Sequence, residues 1–165
     1  MTDTPKHSVS VAGIVVRDDG RILAVQRRDN AHWEPPGGVL ELGETFEEGV
    51  RREVAEETGV DIQVERLTGA YKNLPRGIVA LVFRCTAVGG DAGESDEAQR
   101  VRWLTSIEVE QLMTPAYAVR VLDALGDDAA SRAHDGVQLI PGRSPRPRSV
   151  SACRGPDDAG RFGFR

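Results

Sequence analysis

Glu53, Glu56 and Glu57 fall within five residues of one another in the stretch GVLELGETFEEGVRREVAEETGV, residues 38–60, which carries seven glutamates in twenty-three residues. Spaced i, i+3 and i, i+4, such carboxylates meet on one side of a helix and repel by about 0.2–0.5 kcal/mol per pair. A bound divalent cation is the leading means of offsetting that repulsion. Mg²⁺ takes hard oxygen ligands, keeps part of its water shell and needs only a few carboxylates, so three of them one turn apart are a suitable start. The chemistry this would support is attack of water on phosphorus, where divalent ions neutralise the phosphate oxygens, align the substrate and activate the water.

A helix must position these groups, and residues 45–59 predict one. Thr45 is a candidate N-cap with Glu48 three residues on, the pattern of a capping box, and Gly59 is placed to stop the helix. At 100° per residue Phe46, Val50 and Val54 form an apolar stripe, with Glu53, Glu56, Glu57 and Gly49 on its flank. The acidic group therefore borders the core. The bland alternative, a solvated helix with Glu48 and Arg52 paired at i, i+4, would place its charges opposite the stripe.

Around the helix, residues 8–17 and 21–27 read as strands joined by the turn Asp18–Asp19–Gly20, a hairpin, and residues 29–38 as a Pro/Gly loop. Residues 61–72, 77–87 and 100–105 are further strands, separated by NLPR and by a glycine-rich acidic loop at 89–99, and residues 106–113 and 115–125 one or two closing helices. This order predicts an α+β fold in which a mixed central sheet is covered by helices on both faces. Residues 1–127 are expected to form one domain, and 128–165, rich in Ala, Gly, Ser, Pro and Arg, a disordered tail.

Charge and composition exclude several classes. Residues 129–165 carry seven arginines against Asp135, Asp157 and Asp158, so the net charge of −5 leaves −9 on residues 1–128. An acidic body repels a nucleic-acid backbone, and a phosphate substrate would need cations to mediate its contact. No membrane span or signal peptide is expected, which makes the cytoplasm the natural compartment. Cys85 and Cys153 have no CxxC spacing and read as reduced thiols, and His7, His32 and His134 show no ligand spacing.

The spacing Gly38, Glu44, then Arg52–Glu53–Val54–Ala55–Glu56–Glu57–Thr58–Gly59–Val60 resembles the Nudix box, GX5EX7REUXEEXGU, with every fixed position filled. The preceding WEPPGG is similar to the family's lead-in, departing from it at Pro35. The likeness extends more loosely over residues 8–125. It implies a Nudix-type α/β/α sandwich and Mg²⁺-dependent hydrolysis of a nucleoside diphosphate linked to another moiety, with a nucleoside triphosphate, an oxidised nucleotide or ADP-ribose as substrate. It also admits Mn²⁺ as the ion and a homodimer as the assembly.

Residue by residue, the resemblance implies Glu56 and Glu57 as the main metal ligands, Glu53 as a further ligand or the base, and the Gly37 carbonyl as a backbone ligand. Glu53, Glu57, Arg52 and Glu44 make up the catalytic set, with Arg52 orienting a neighbouring glutamate and Glu44 bracing loop and helix. A later carboxylate is expected from Glu94, Asp96 or Glu97, of which Glu97 is chosen, and Arg27, or its neighbour Arg28, to hold substrate phosphate. Trp33 reads as a core aromatic; Tyr71 is balanced between core and base platform; Pro75 is a faint pointer to ADP-ribose. The competing functions are a nucleotide-sensing module without turnover and a prenyl diphosphate isomerase, which would need a cysteine such as Cys85 near the site.

Overall fold

The computed structural model describes residues 3–142. In chain order they form β1 (Ser8–Val16), β2 (Ile22–Arg27), β3 (Trp33–Glu34), β4 (Gly37–Val39), α1 (Phe46–Thr58), β5 (Val60–Asn73), β6 (Ile78–Gly90), β7 (Ala98–Leu104), α2 (Ser106–Leu112), α3 (Pro115–Leu125), β8 (Ala130–His134) and β9 (Leu139–Ile140). All strands join one mixed sheet, ordered β3-β2-β1-β6-β5-β8-β9, with β4 on β1 and β7 on β2. β1 runs parallel to β6 along its whole length, from Ser8 opposite Ile78 to Val16 opposite Thr86.

The expected β1–β2 hairpin closes only at its turn, where Val16 faces Ile22. Beyond it the strands diverge and the segment 33–39 fills the wedge: β3 pairs with β2, β4 pairs with β1, and the Pro36 carbonyl accepts from the Gly13 N–H at 3.0 Å. Prolines lack an N–H, so Pro35 and Pro36 sit where the segment changes partner instead of inside a ladder. The loop expected at 29–38 thus contains two short strands.

Alternation along β1 divides the core between the faces of the sheet. Val11 and Val15 pack with Val50 and Val54 of α1, while Ala12 and Ile14 pack with Val109, Ala118 and Val121 of α2 and α3. Gly13 points at α1, where a Cβ would lie 2.9 Å from the Val54 side chain, so the missing side chain sets how closely the helix approaches. The result is the α/β/α sandwich expected from the element order.

The domain boundary at residue 127 needs correction. β8 lies parallel beside β5, Gly69 opposite Ala130 through Asn73 opposite His134, and β9 returns antiparallel to it. The sequence of β8, ASRAH, has no apolar alternation to mark a strand, but the edge of β5 supplies backbone partners that composition cannot reveal. The rest of the expected tail, from residue 143 and including Cys153, lies outside the described residues. No helix among the described residues is long and apolar enough to cross a membrane.

Candidate active site

α1 begins as its sequence indicates. Thr45 accepts from the Glu48 N–H, the Glu48 side chain accepts from the Thr45 N–H at 2.8 Å, and Gly59 ends the helix with φ 75°. Glu48 is thereby committed to the cap, and the alternative Glu48–Arg52 pair does not form. The buried face is Gly49, Val50, Glu53, Val54, Glu57 and Thr58. Phe46, placed on the stripe by periodicity, is half exposed in the first turn of the helix.

Two of the three glutamates are therefore inside: Glu53 is 8% and Glu57 7% exposed, whereas the Glu56 side chain is open to solvent. Burial pushes the Glu57 carboxyl up to about 8, reinforced by Glu53, Glu34 and Glu97 and opposed by the Gly37 N–H. Burial also raises Glu53, against the pull of Arg52. Arg52 holds the group together: Nη1 donates to Glu53 Oε1 at 2.8 Å and to Glu56 Oε2 at 3.2 Å, and Nε and Nη2 grip both oxygens of Glu44. Glu44 Oε2 also accepts from the Glu41 N–H, which ties the preceding loop to the helix.

β4 crosses directly over the cluster. A Cβ on Gly38 would fall 2.5 Å from both Glu53 carboxylate oxygens, so only glycine leaves Glu53 its place. Gly37, paired with Ala12, faces Glu57. Of the three later acidic candidates, Glu97 and not Glu94 or Asp96 lines the groove with Glu53, Glu56, Gly37 and Gly38. Arg27 lines this groove too, bonded to Asp29 and, through Nη1 at 3.0 Å, to Glu34. Arg28 instead holds the Ser95 carbonyl and stands outside it.

Whether this set suits a divalent cation can be judged from its donors. Every candidate is a hard oxygen, and two are carboxylates whose charge is disfavoured by burial and by neighbouring glutamates, the condition that a cation relieves. As placed, no three acidic, His or Cys side chains among the described residues close into a ligand cage, and Arg52 donates to Glu53 and Glu56. The residues fit a Mg²⁺-type ion that shares its shell with water and substrate, not a dedicated protein cage.

A second cleft continues from the groove, sharing Arg27, Gly37, Gly38 and Val39 with it. Its far wall holds residues that spacing did not single out for function: Glu34, Asn73, Tyr117, Arg120 and His134. Tyr71 reaches this cleft only as a fully buried core residue whose hydroxyl donates to Asp123 at 2.8 Å, and Trp33 is likewise core. Cys85 is buried against α1 with its thiol pushed up to about 12 by burial, which leaves no reactive cysteine for isomerase chemistry among the described residues.

Comparison with known proteins agrees with this architecture. Residues 6–125 match the family model described as NUDIX domain. A MutT-like protein of Streptomyces ambofaciens is 60% identical over 141 residues, covering 85% of this chain and 92% of that protein. An ADP-ribose pyrophosphatase of Methanocaldococcus jannaschii is 37% identical over 103 residues, 58% of this chain and 60% of its own length. Among solved structures, a NUDIX hydrolase from Nitrosomonas europaea superposes with a TM-score of 0.68 at 19% identity, covering 79% of each chain, a likeness of fold.

Proposed function

Since the chain belongs to the Nudix hydrolase family, we propose that it hydrolyses, with Mg²⁺, a pyrophosphate bond in a nucleoside diphosphate linked to another moiety. Water attacks one phosphorus, the bridging P–O bond breaks, and the products are a phosphomonoester and the remaining phosphorylated half. The observation that carries this reading is the burial of two like-charged carboxylates of one helix, Glu53 and Glu57, with Glu53 lining a groove shared with Glu56 and Glu97.

Glu56, Glu57 and Glu53, with Glu97 and the Gly37 backbone, would hold the ion. When bound, it neutralises phosphate charge and lowers the pKa of water. Glu53 suits the base: burial raises its carboxyl, which makes it a better proton acceptor, and Arg52 fixes one of its oxygens. Arg52 and Glu44 act as positioning residues. Arg27, between the groove and the second cleft, is placed to receive a phosphate oxygen by exchanging one of its two carboxylate partners.

The test is phosphate release, coupled through inorganic pyrophosphatase or a phosphatase, from nucleoside triphosphates, oxidised nucleotides, ADP-ribose, dinucleoside polyphosphates and prenyl diphosphates, with EDTA and Glu57→Gln as controls. Turnover of one class, lost in both controls, supports the hydrolase. Silence with Mg²⁺-dependent nucleotide binding retained would overturn it in favour of a sensing module.

A further inference from the structure

Arg120 is a buried guanidinium with too few acceptors. It is 7% exposed, its Nε–H is buried without a partner, and Nη2 lies 3.1 Å from Nε2 of His134, itself 1% exposed. His134 Nδ1 receives the Gly136 N–H at 3.0 Å. A neutral imidazole has one acceptor nitrogen, and two donors converge on this ring, so one of them stays unsatisfied. Burial and the Arg120 charge both hold His134 neutral.

The guanidinium is also fixed in direction. Its carbon lies 4.5 Å from the Tyr117 ring centre and 5.4 Å from that of Tyr71, between two aromatic faces. It lines the second cleft, whose other end opens past Gly37 and Gly38 onto the glutamate groove. A buried donor with no acceptor is costly to keep, and the guanidinium that carries it lines a cleft joined to the glutamate groove, where a ligand's acceptor atoms would meet it.

We propose that Arg120 is a specificity-determining residue for the non-phosphate end of the substrate, reading the acceptor edge of an oxo-purine, and that His134 is its positioning residue. This rests on the hydrolase reading above for the direction in which substrate lies. An Arg fork donates to a ring nitrogen and a neighbouring carbonyl, the pattern of guanine; adenine offers an amino donor at the carbonyl position. The partly exposed Tyr117 ring beside the guanidinium gives the cleft an aromatic face, which suits a flat base better than a tetrahedral phosphate. His134 reaches Arg120 from β8, beyond residues 6–125 matched by the family model.

The experiment is calorimetric titration of the full chain with GMP, AMP and pyrophosphate. Wild type should favour GMP over AMP. Arg120→Met should weaken GMP by roughly 10- to 100-fold, leaving AMP and pyrophosphate within about twofold; Arg120→Gln, which keeps a shorter donor, should fall between. His134→Ala should shrink the GMP-to-AMP ratio and His134→Asn, which returns an acceptor, should restore it. Equal loss for GMP and AMP, loss of pyrophosphate binding as large as that of GMP, or no GMP preference in wild type would overturn the proposal. So would a collapse of the thermal midpoint in both Arg120 variants, which would make Arg120 a structural cation. Absence of turnover with this GMP preference intact would count against the hydrolase reading alone.

Discussion

Arg52 donates to Glu44 Oε2 at 3.0 Å while its Nη1 donates to Glu53, so one guanidinium fastens the loop before α1 to the carboxylate at the groove. The arrangement satisfies a partly buried cation with two carboxylates that are themselves 10–15% exposed on their side chains. Removing it leaves both anions uncompensated. Arg52→Met is expected to lower stability by about 3 kcal/mol and turnover by roughly 100-fold, measured by denaturant unfolding and steady-state kinetics. Arg52→Lys keeps the charge without the fork and should recover stability more than activity. A Met variant with unaltered activity would remove Arg52 from the positioning set.

Glu57 gives the pH prediction. Its folded value of about 8 lies above the ordinary 4.5, so the folded state holds a proton that the unfolded state has lost over that interval. Stability in metal-free buffer should therefore be fully present below about pH 4.5 for this group and fall as pH rises toward 8, each pH unit being worth at most about 1.4 kcal/mol. Glu57→Gln should flatten that decline and leave the midpoint at pH 7 unchanged or higher, while turnover drops by several orders of magnitude. Mg²⁺ should bind with proton release near neutrality, visible as a buffer-dependent binding enthalpy. A variant with near-native turnover would refute the metal assignment.

The glutamates were legible in the sequence because everything that places them is local: a capping box, a 3.6-residue period and a glycine stop, all within residues 45–59. The same locality explains what was missed. Arg120 and His134 meet because α3 packs on one face of β5 and β8 pairs with its edge, and nothing in ASRAH reads as a strand until β5 offers its ladder. Glu34 was hidden by a loop signature that is also the signature of a short strand ending at two prolines.

Gly38 tests the close passage of β4 over α1. Adding a methyl group there forces it to 2.5 Å from the Glu53 carboxylate, although the glycine has no positive φ to protect. Gly38→Ala should thus push Glu53 away from Arg52 and from the groove without breaking the sheet. The expected result is a loss of kcat of about 100-fold, the scale at which a displacement near 1 Å acts, with a far-ultraviolet spectrum like that of wild type. Unchanged kcat would show that Glu53 moves without consequence and so does not serve as the base.

The C-terminal hairpin gives the last prediction. Arg132 on β8 pairs with Asp123 through both oxygens, at 2.6 and 2.7 Å, and the same Asp123 accepts from Tyr71, so α3, β5 and β8 are joined at one carboxylate. A chain ending at Asp127 loses Arg132, exposes the β5 edge from Gly69 to Asn73, and removes His134 from Arg120. It should unfold at lower denaturant by several kcal/mol, since Asp123 and Arg120 both keep buried charge after losing their neighbours. A chain ending at Gly142 keeps every one of these contacts and should match the full chain in midpoint and turnover. Equal stability of the two truncations would mean that β8 and β9 lie on the domain without supporting it, and Arg132→Ala in the full chain, expected to reproduce part of the loss, would locate the deficit at Asp123.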